Sequence, residues 1–276
     1  AARAILSAKK PVQPPGRAGT VLYRAFIAMK KTGLPEETIN KTFQQIDDIL
    51  ANRGGVSGFK ERLEQLAMAN RSRAMTIMKQ IDDGHSLLQK NPGHLAFEVR
   101  IPTQNGGSYR RIDSVILNDQ GLAAVRAGRA LGPDGVDAMT ESASWPFFYA
   151  GGFPTVKHPT LIKGTSAAAK AAREEASRLW GPIDQKAEQL TDYLTEFASE
   201  FGAKVTLSIR APLNFDATQK AEFKEELIKY FQSRITEKNP VLREFFFREK
   251  LSRNLPAYQK AVSDGREALL KNVIIE

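Results

Sequence analysis

Apolar positions along this chain alternate between helical spacing and a period of two, and each change of period marks an element. From Thr20 to Lys31, Val21, Phe26 and Ile27 recur at helical spacing with basic residues beside them, until Gly33-Leu34-Pro35 breaks the pattern. Pro35-Glu36-Glu37 then opens a second helix, with Pro tolerated in the first turn and carboxylates against the positive end of the helix dipole. Ile39, Phe43, Ile46, Ile49 and Leu50 carry its apolar stripe to about Ala51. Gly54, Gly55 and Gly58 form a joint. A single long helix is expected from Phe59 to about Gln89, with Leu63, Leu66, Ala67, Ala74, Ile77, Met78 and Ile81 on one face and a stop at Asn91-Pro92-Gly93.

The period then drops to two. His94 to Ile101 and Tyr109 to Leu117 are β-rich runs around Asn105-Gly106, a dipeptide that suits the positive φ values of a tight hairpin turn. With Asn105-Gly106 as the loop, Glu98 falls opposite Asp113 and Arg100 opposite Arg111, all on one surface, while Phe97, Val99 and Ile112 point to the other. A charged face backed by an apolar face predicts a half-buried antiparallel pair.

Residues 119–164 are rich in Gly and Pro and read as loop, with Trp145, Phe147, Phe148 and Tyr149 forming an aromatic segment suited to a partner surface. An Ala-rich helix is expected from Thr165 to about Trp180 and another from Asp184 to about Phe201. A strand follows at Ala203 to Arg210 with Val205, Leu207 and Ile209 inward, then helices around 216–237, 240–253 and 255–271. The expected fold is α+β and helix-dominated, with a small antiparallel sheet built on the hairpin, flanking helical segments and an extended basic N-terminal arm. The expected divisions are an arm at 1–18, a helical region at 19–92, a hairpin and aromatic loop at 93–164, and a helical region with one strand at 165–276, the last two forming one domain.

Charge changes this picture more than composition does. The first 35 residues carry seven basic side chains (Arg3, Lys9, Lys10, Arg17, Arg24, Lys30 and Lys31) and no acid, so they supply +7 of the net +9. The remaining 241 residues, with 33 basic and 31 acidic groups, come to +2. A near-neutral body with a cationic, proline-bearing front end suits a protein that docks onto polyanions or threads into an assembly such as a ribonucleoprotein or virion, with nucleic acid and other subunits as the expected partners. Hydrophobic residues at 42% exclude wholesale disorder, and no apolar run approaches the roughly 20 residues of a membrane helix. Absence of Cys excludes disulfides and thiolate metal sites. The start at Ala1 fits removal of an initiator Met or proteolytic maturation, and the acid-free opening has a transit-peptide composition. No secretory signal is expected, because no apolar core follows the first charges.

Candidate chemistry is sparse. His85, His94 and His158 are far apart and in no metal-binding spacing, and phosphate-binding glycine loops and a nucleophile elbow are absent from the sequence. The C-terminal third interleaves Lys229, Tyr230, Phe231, Arg234, Arg243, Phe245, Phe246, Phe247, Arg248, Lys250 and Arg253, a mixture that serves RNA or, at helical spacing, a core face. The sharpest enzymatic pattern is a carboxylate on a helix (Glu61 or Glu64) followed by a strand aspartate, Asp113, with Glu98 across from it. This order resembles the opening of a restriction-nuclease-like core, in which acids hold Mg²⁺; the resemblance implies metal-dependent nucleic-acid cleavage, as a nuclease or effector toxin, by Asp113, Glu98 and Glu64. The acid-x-Lys element of that family is not found in the residues following Asp113. Tyr23-Arg24 after an apolar residue resembles the first-strand arginine of ADP-ribosyltransferases over three residues only. The leading expectation is therefore a non-enzymatic structural or binding subunit without a cofactor, in which Glu98, Arg100, Arg111 and Asp113 form a cross-strand ion cluster.

Overall fold

The computed structural model describes residues 16–102, 109–144, 156–181, 184, 204–211, 215–234, 256, 267, 271 and 273–275. The chain divides into two compact units, Ala1–Ser144 with Phe201–Ser208, and Trp145–Glu200 with Ile209–Glu276.

Four helices open the first unit: α1 (Gly16–Lys31), α2 (Glu36–Leu50), α3 (Phe59–Ala67) and α4 (Arg71–Lys90). Helix already begins at Gly16, directly after the prolines, so the last residues of the expected arm belong to α1. The helix expected from Phe59 to Gln89 is two. The chain leaves α3 at Met68, and Asn70 caps α4 by accepting a 2.9 Å hydrogen bond from the Arg73 amide. Apolar side chains of the four helices converge on one cluster, including Leu22, Phe26, Ile39, Phe43, Ile46, Leu66, Ile77 and Ile81, each 4% exposed or less. Phe26 meets Phe43 edge-on with ring centroids 5.3 Å apart. Burial of each such side chain contributes about 1.5–3 kcal/mol, so this layer dominates the stability of the unit.

The sheet runs β1 (Val56–Ser57), β2 (His94–Pro102), β3 (Tyr109–Leu117), β4 (Val136–Ser144) and β5 (Val205–Arg210) in that spatial order, β5 contributing Val205–Ser208 to this unit. β1 joins β2 in parallel; β2–β3 and β3–β4 are antiparallel, so the sheet is mixed. Register between β2 and β3 is the one read from the sequence, with Arg100 opposite Arg111 and Phe97 opposite Ser114; the Asn105-Gly106 turn lies outside the described residues. Glu98 departs from the ladder. Its φ of 54° is left-handed, and no pairing to Asp113 forms.

The half-buried hairpin is corrected by what surrounds it. Residues 112–117 are buried without alternation, because β4 flanks β3 on the side away from β2 and α4 packs on the sheet. Residues 119–144 are likewise not loop: α5 (Asp119–Arg126) and β4 occupy most of them. Asn118 starts α5 by accepting from the Gly121 amide at 3.1 Å. Gly121 must be glycine, since a Cβ there would stand 1.9 Å from the Gly135 carbonyl oxygen.

In the second unit the described residues show helix over 167–181 (α6), α7 (Ala217–Arg234) and a short strand β6 (Val273–Ile275). The helices expected at 184–201, 240–253 and 255–271 lie almost wholly outside the described residues, as do Trp145, Phe147, Phe148 and Tyr149. No helix among the described residues is long and apolar enough to cross a membrane.

Candidate functional site

The middle of α4, from Ala74 to Gly84, is buried on most of its circumference, and its two sides differ. By the roughly 3.6-residue helical repeat, Lys79, Gln80 and Asp83 project opposite Ala74, Ile77, Met78 and Ile81. That polar side is covered by the sheet. Lys79, at 0% exposure, donates to Asp83 Oδ1 and to Ser208 Oγ on β5, both at 2.7 Å, and Ser208 donates to Asp83 Oδ1 at 2.9 Å. The next residue, Gln80, donates through Nε2 to Asp113 Oδ1 at 2.6 Å. The other Asp113 oxygen accepts from the Ser142 amide at 3.0 Å, and the Asp113 amide donates to Glu141 Oε2 at 3.4 Å. β3 and β4 thus place Asp113 and Glu141, 7% and 4% exposed, within one polar interior.

Arg62 on α3 closes this interior. Its guanidinium donates to Gln80 Oε1 at 2.7 Å and pairs with the Glu98 carboxylate, which Arg111 also reaches at 3.4 Å. Burial lowers the Arg62 pKa, opposed first by the nearby Asp113 carboxylate, while Arg73 and Arg111 add to the lowering. The Asp83 pKa is raised, chiefly by burial, against the pull of Lys79. Three buried atoms, Asp83 Oδ2, Ser114 Oγ and Ser142 Oγ, have no hydrogen-bond partner among the described residues.

The expected four-residue cross-strand cluster is therefore split. Glu98 pairs with the exposed Arg111 and the buried Arg62; Asp113 turns into the interior to Gln80; Arg100 is exposed with no ion pair among the described residues. Glu64 stands apart, exposed and 3.7 Å from Lys60. Glu141 escaped the sequence reading because β4 did, and Ser208 because the alternation of β5 turned Val205, Leu207 and Ile209 inward; Lys79 and Gln80 stand out only once the sheet covers them. The i, i+4 spacing of Lys79 and Asp83 was visible, but it is equally the mark of a solvated helix pair.

The chain matches no family model, no curated protein and no solved structure.

Whether the acids fit a divalent cation depends on free oxygens and ligand number. Both Asp113 oxygens accept hydrogen bonds, Glu98 is held by two arginines, and no group of three or more His, Asp or Glu among the described residues could hold a metal ion. Mg²⁺ demands near-octahedral oxygen ligation, which this set does not offer as arranged.

Of the seven expected contact cations, Arg3, Lys9 and Lys10 lie outside the described residues, and Arg17 sits in the first turn of α1. Arg24 and Lys31 are exposed on α1, whereas Lys30 pairs with Glu36 and lies 5.6 Å over the Phe26 ring. Sequence reasoning also missed a second cluster, in the second unit. His158 Nε2 is 2.9 Å from Asp184 Oδ2, and its Nδ1 accepts from the Thr160 amide at 3.3 Å, which puts the proton of the neutral ring on Nε2. Asp184 also accepts from the Tyr230 hydroxyl. Trp180 meets the His158 ring edge-on at 5.2 Å, stacks on Tyr230 and donates to the Val156 carbonyl at 3.0 Å. Tyr230 is thus a structural hydrogen-bond donor in this cluster.

Proposed function

We propose that this chain is a non-catalytic subunit of a larger assembly that contacts nucleic acid through its cationic N-terminal segment. The observation that carries the reading is seven basic side chains and no acid in the first 35 residues of a chain otherwise close to neutral. Each cation that reaches a phosphate releases a counterion, so such a segment gives binding that weakens steeply with salt. Exposure of Arg24 and Lys31 on α1 supports the reading, because it extends the cationic surface onto a folded helix. The aromatic composition of Trp145, Phe147, Phe148 and Tyr149 suits a contact with another subunit.

Fluorescence anisotropy of the full chain on labelled RNA and DNA across a salt series tests this. Changing Arg3, Lys9, Lys10 and Arg17 together to Gln is expected to lower the slope of log K against log salt by about three to four. Salt-independent binding, or none, would sink the reading and move the partner to protein.

The alternative expected from the sequence, phosphodiester cleavage with Mg²⁺, has against it that both Asp113 oxygens already accept hydrogen bonds and that Asp113 and Glu141 are buried. Incubating the full chain with labelled nucleic acid and Mg²⁺ separates the two. Cleavage that Asp113→Asn abolishes would establish the enzyme; an intact substrate leaves the binding role.

A further inference from the structure

A second cationic surface, remote in sequence from the N-terminal segment, is built where β2, β3 and the start of α4 come together. Arg100 and Arg111 are direct partners in the β2–β3 register and both are exposed. Like charges directly opposite on antiparallel strands repel. α4 adds a second cost of the same sign: its first turn holds Arg71 and Arg73 and no acid, although the helix dipole favours the reverse. Arg62, which pairs with the same Glu98 carboxylate as Arg111, also feels the positive charges of both Arg73 and Arg111.

Glu98 organises the surface. It holds a left-handed backbone at φ 54°, a conformation a non-glycine residue keeps only when its surroundings enforce it. In that position its carboxylate is shared between the 5%-exposed Arg62 and Arg111, whose side chain is 60% exposed. Arg111 is thereby tethered to Glu98 while its side chain stays largely exposed. Beside it Arg100 has no acidic partner among the described residues. A planar guanidinium offers parallel N–H donors to two phosphate oxygens, and adjacent exposed arginines suit successive phosphates better than the single carboxylates of a protein surface.

We propose that Arg73, Arg100 and Arg111 form a phosphate-backbone contact for nucleic acid on the first unit, with Glu98 as its positioning residue. This inference rests on the nucleic-acid reading above and adds a second, folded contact to it.

The test uses the full chain, a fluorescein-labelled DNA duplex and a labelled single-stranded RNA, each titrated across a salt series. Arg73→Gln, Arg100→Gln and Arg111→Gln together are expected to lower the salt slope by about two to three, while the N-terminal variant with Arg3, Lys9, Lys10 and Arg17 changed to Gln retains the remainder. A patch variant that keeps the full slope, while the N-terminal variant loses it, overturns the inference and leaves the N-terminal reading standing. Failure of the unmodified chain to bind either probe removes both. Equal loss of binding to polyglutamate and to nucleic acid by the patch variant would overturn the assignment to phosphate in favour of an acidic protein. If the thermal melt of the triple variant shifts, Arg100→Gln alone decides: the expected slope change is then about one, and no change overturns the inference.

Discussion

Ile77 and Lys79 lie two residues apart on α4 and are equally hidden, at 2% and 0% exposure, yet opposite physics keeps them there. Ile77 belongs to a cluster that gains by removing hydrocarbon from water and needs no particular partner. Lys79 is tolerated because its ammonium is paired, with Asp83 and Ser208 each 2.7 Å from it. The apolar side of α4 can absorb small changes of shape, since neighbouring helices relax toward a cavity. The polar side cannot, because any missing partner leaves a charge in a medium that does not solvate it. The lesson is that the apolar side supplies the stability and the polar side supplies the register between α4 and the sheet.

The largest effect expected from this contrast is at Lys79. Lys79→Met should cost about 3–5 kcal/mol in urea unfolding, because it strands Asp83. Lys79→Met combined with Asp83→Leu should recover most of that loss, since a buried ion pair replaced by hydrocarbon of similar volume is often neutral. Additive single losses in the double variant would break the comparison. They would mean that this side of α4 is held by shape rather than by paired charge.

A smaller effect is expected with pH. The Asp83 pKa is raised above its ordinary value of 3.8, with burial as the first cause. A carboxyl raised in the folded state binds its proton more tightly there than when unfolded. Its contribution to stability is therefore complete below the unfolded value and is lost as pH rises through the raised one. Asp83→Asn, which keeps the shape and cannot ionise, should gain stability relative to the parent chain as pH climbs from about 4 toward neutral. Parallel stability–pH curves for the two chains would show that Lys79 offsets the burial of Asp83 completely.

Much of the apolar side was legible in the sequence. Ile39, Phe43 and Ile46 on α2, and Ala74, Ile77, Met78 and Ile81 on α4, stand at helical spacing, and all are buried. The β2–β3 register followed from the alternation around Asn105-Gly106. Three things were not legible, for one shared reason. Val136–Ser144 contains Asp137, Ala138, Glu141 and Ser142, residues of poor strand propensity, and becomes a strand because β3 offers it a ladder. Without that strand, β3 looked like an edge, Asp113 looked solvated, and the polar side of α4 looked like an ordinary wet face. Local patterns report what a segment prefers; whether a polar face is covered depends on a distant segment arriving there, as Ser208 does over Asp83.

The smallest effect tests the seam between the two sides. Gly84 lies next to Asp83 on α4, and a Cβ added there would stand 2.8 Å from Phe97 Cζ, 2.9 Å from Phe97 Cε1 and 3.2 Å from Ser114 Oγ. Phe97 is stacked on Phe59 with centroids 5.2 Å apart and 27° between the rings, so it cannot swing away without losing that contact. Gly84→Ala gains about 1 kcal/mol of helix propensity. Overpacking costs about 1–3 kcal/mol, so a net loss near 1 kcal/mol is expected by urea unfolding. Trimming the obstacle should reverse the sign: in a Phe97→Leu background the same substitution should become neutral or stabilising. If Gly84→Ala stabilises the parent chain outright, α4 is free to lift from β2. The polar contacts of Lys79 and Gln80, rather than the close approach of glycine to Phe97, would then set the distance between helix and sheet.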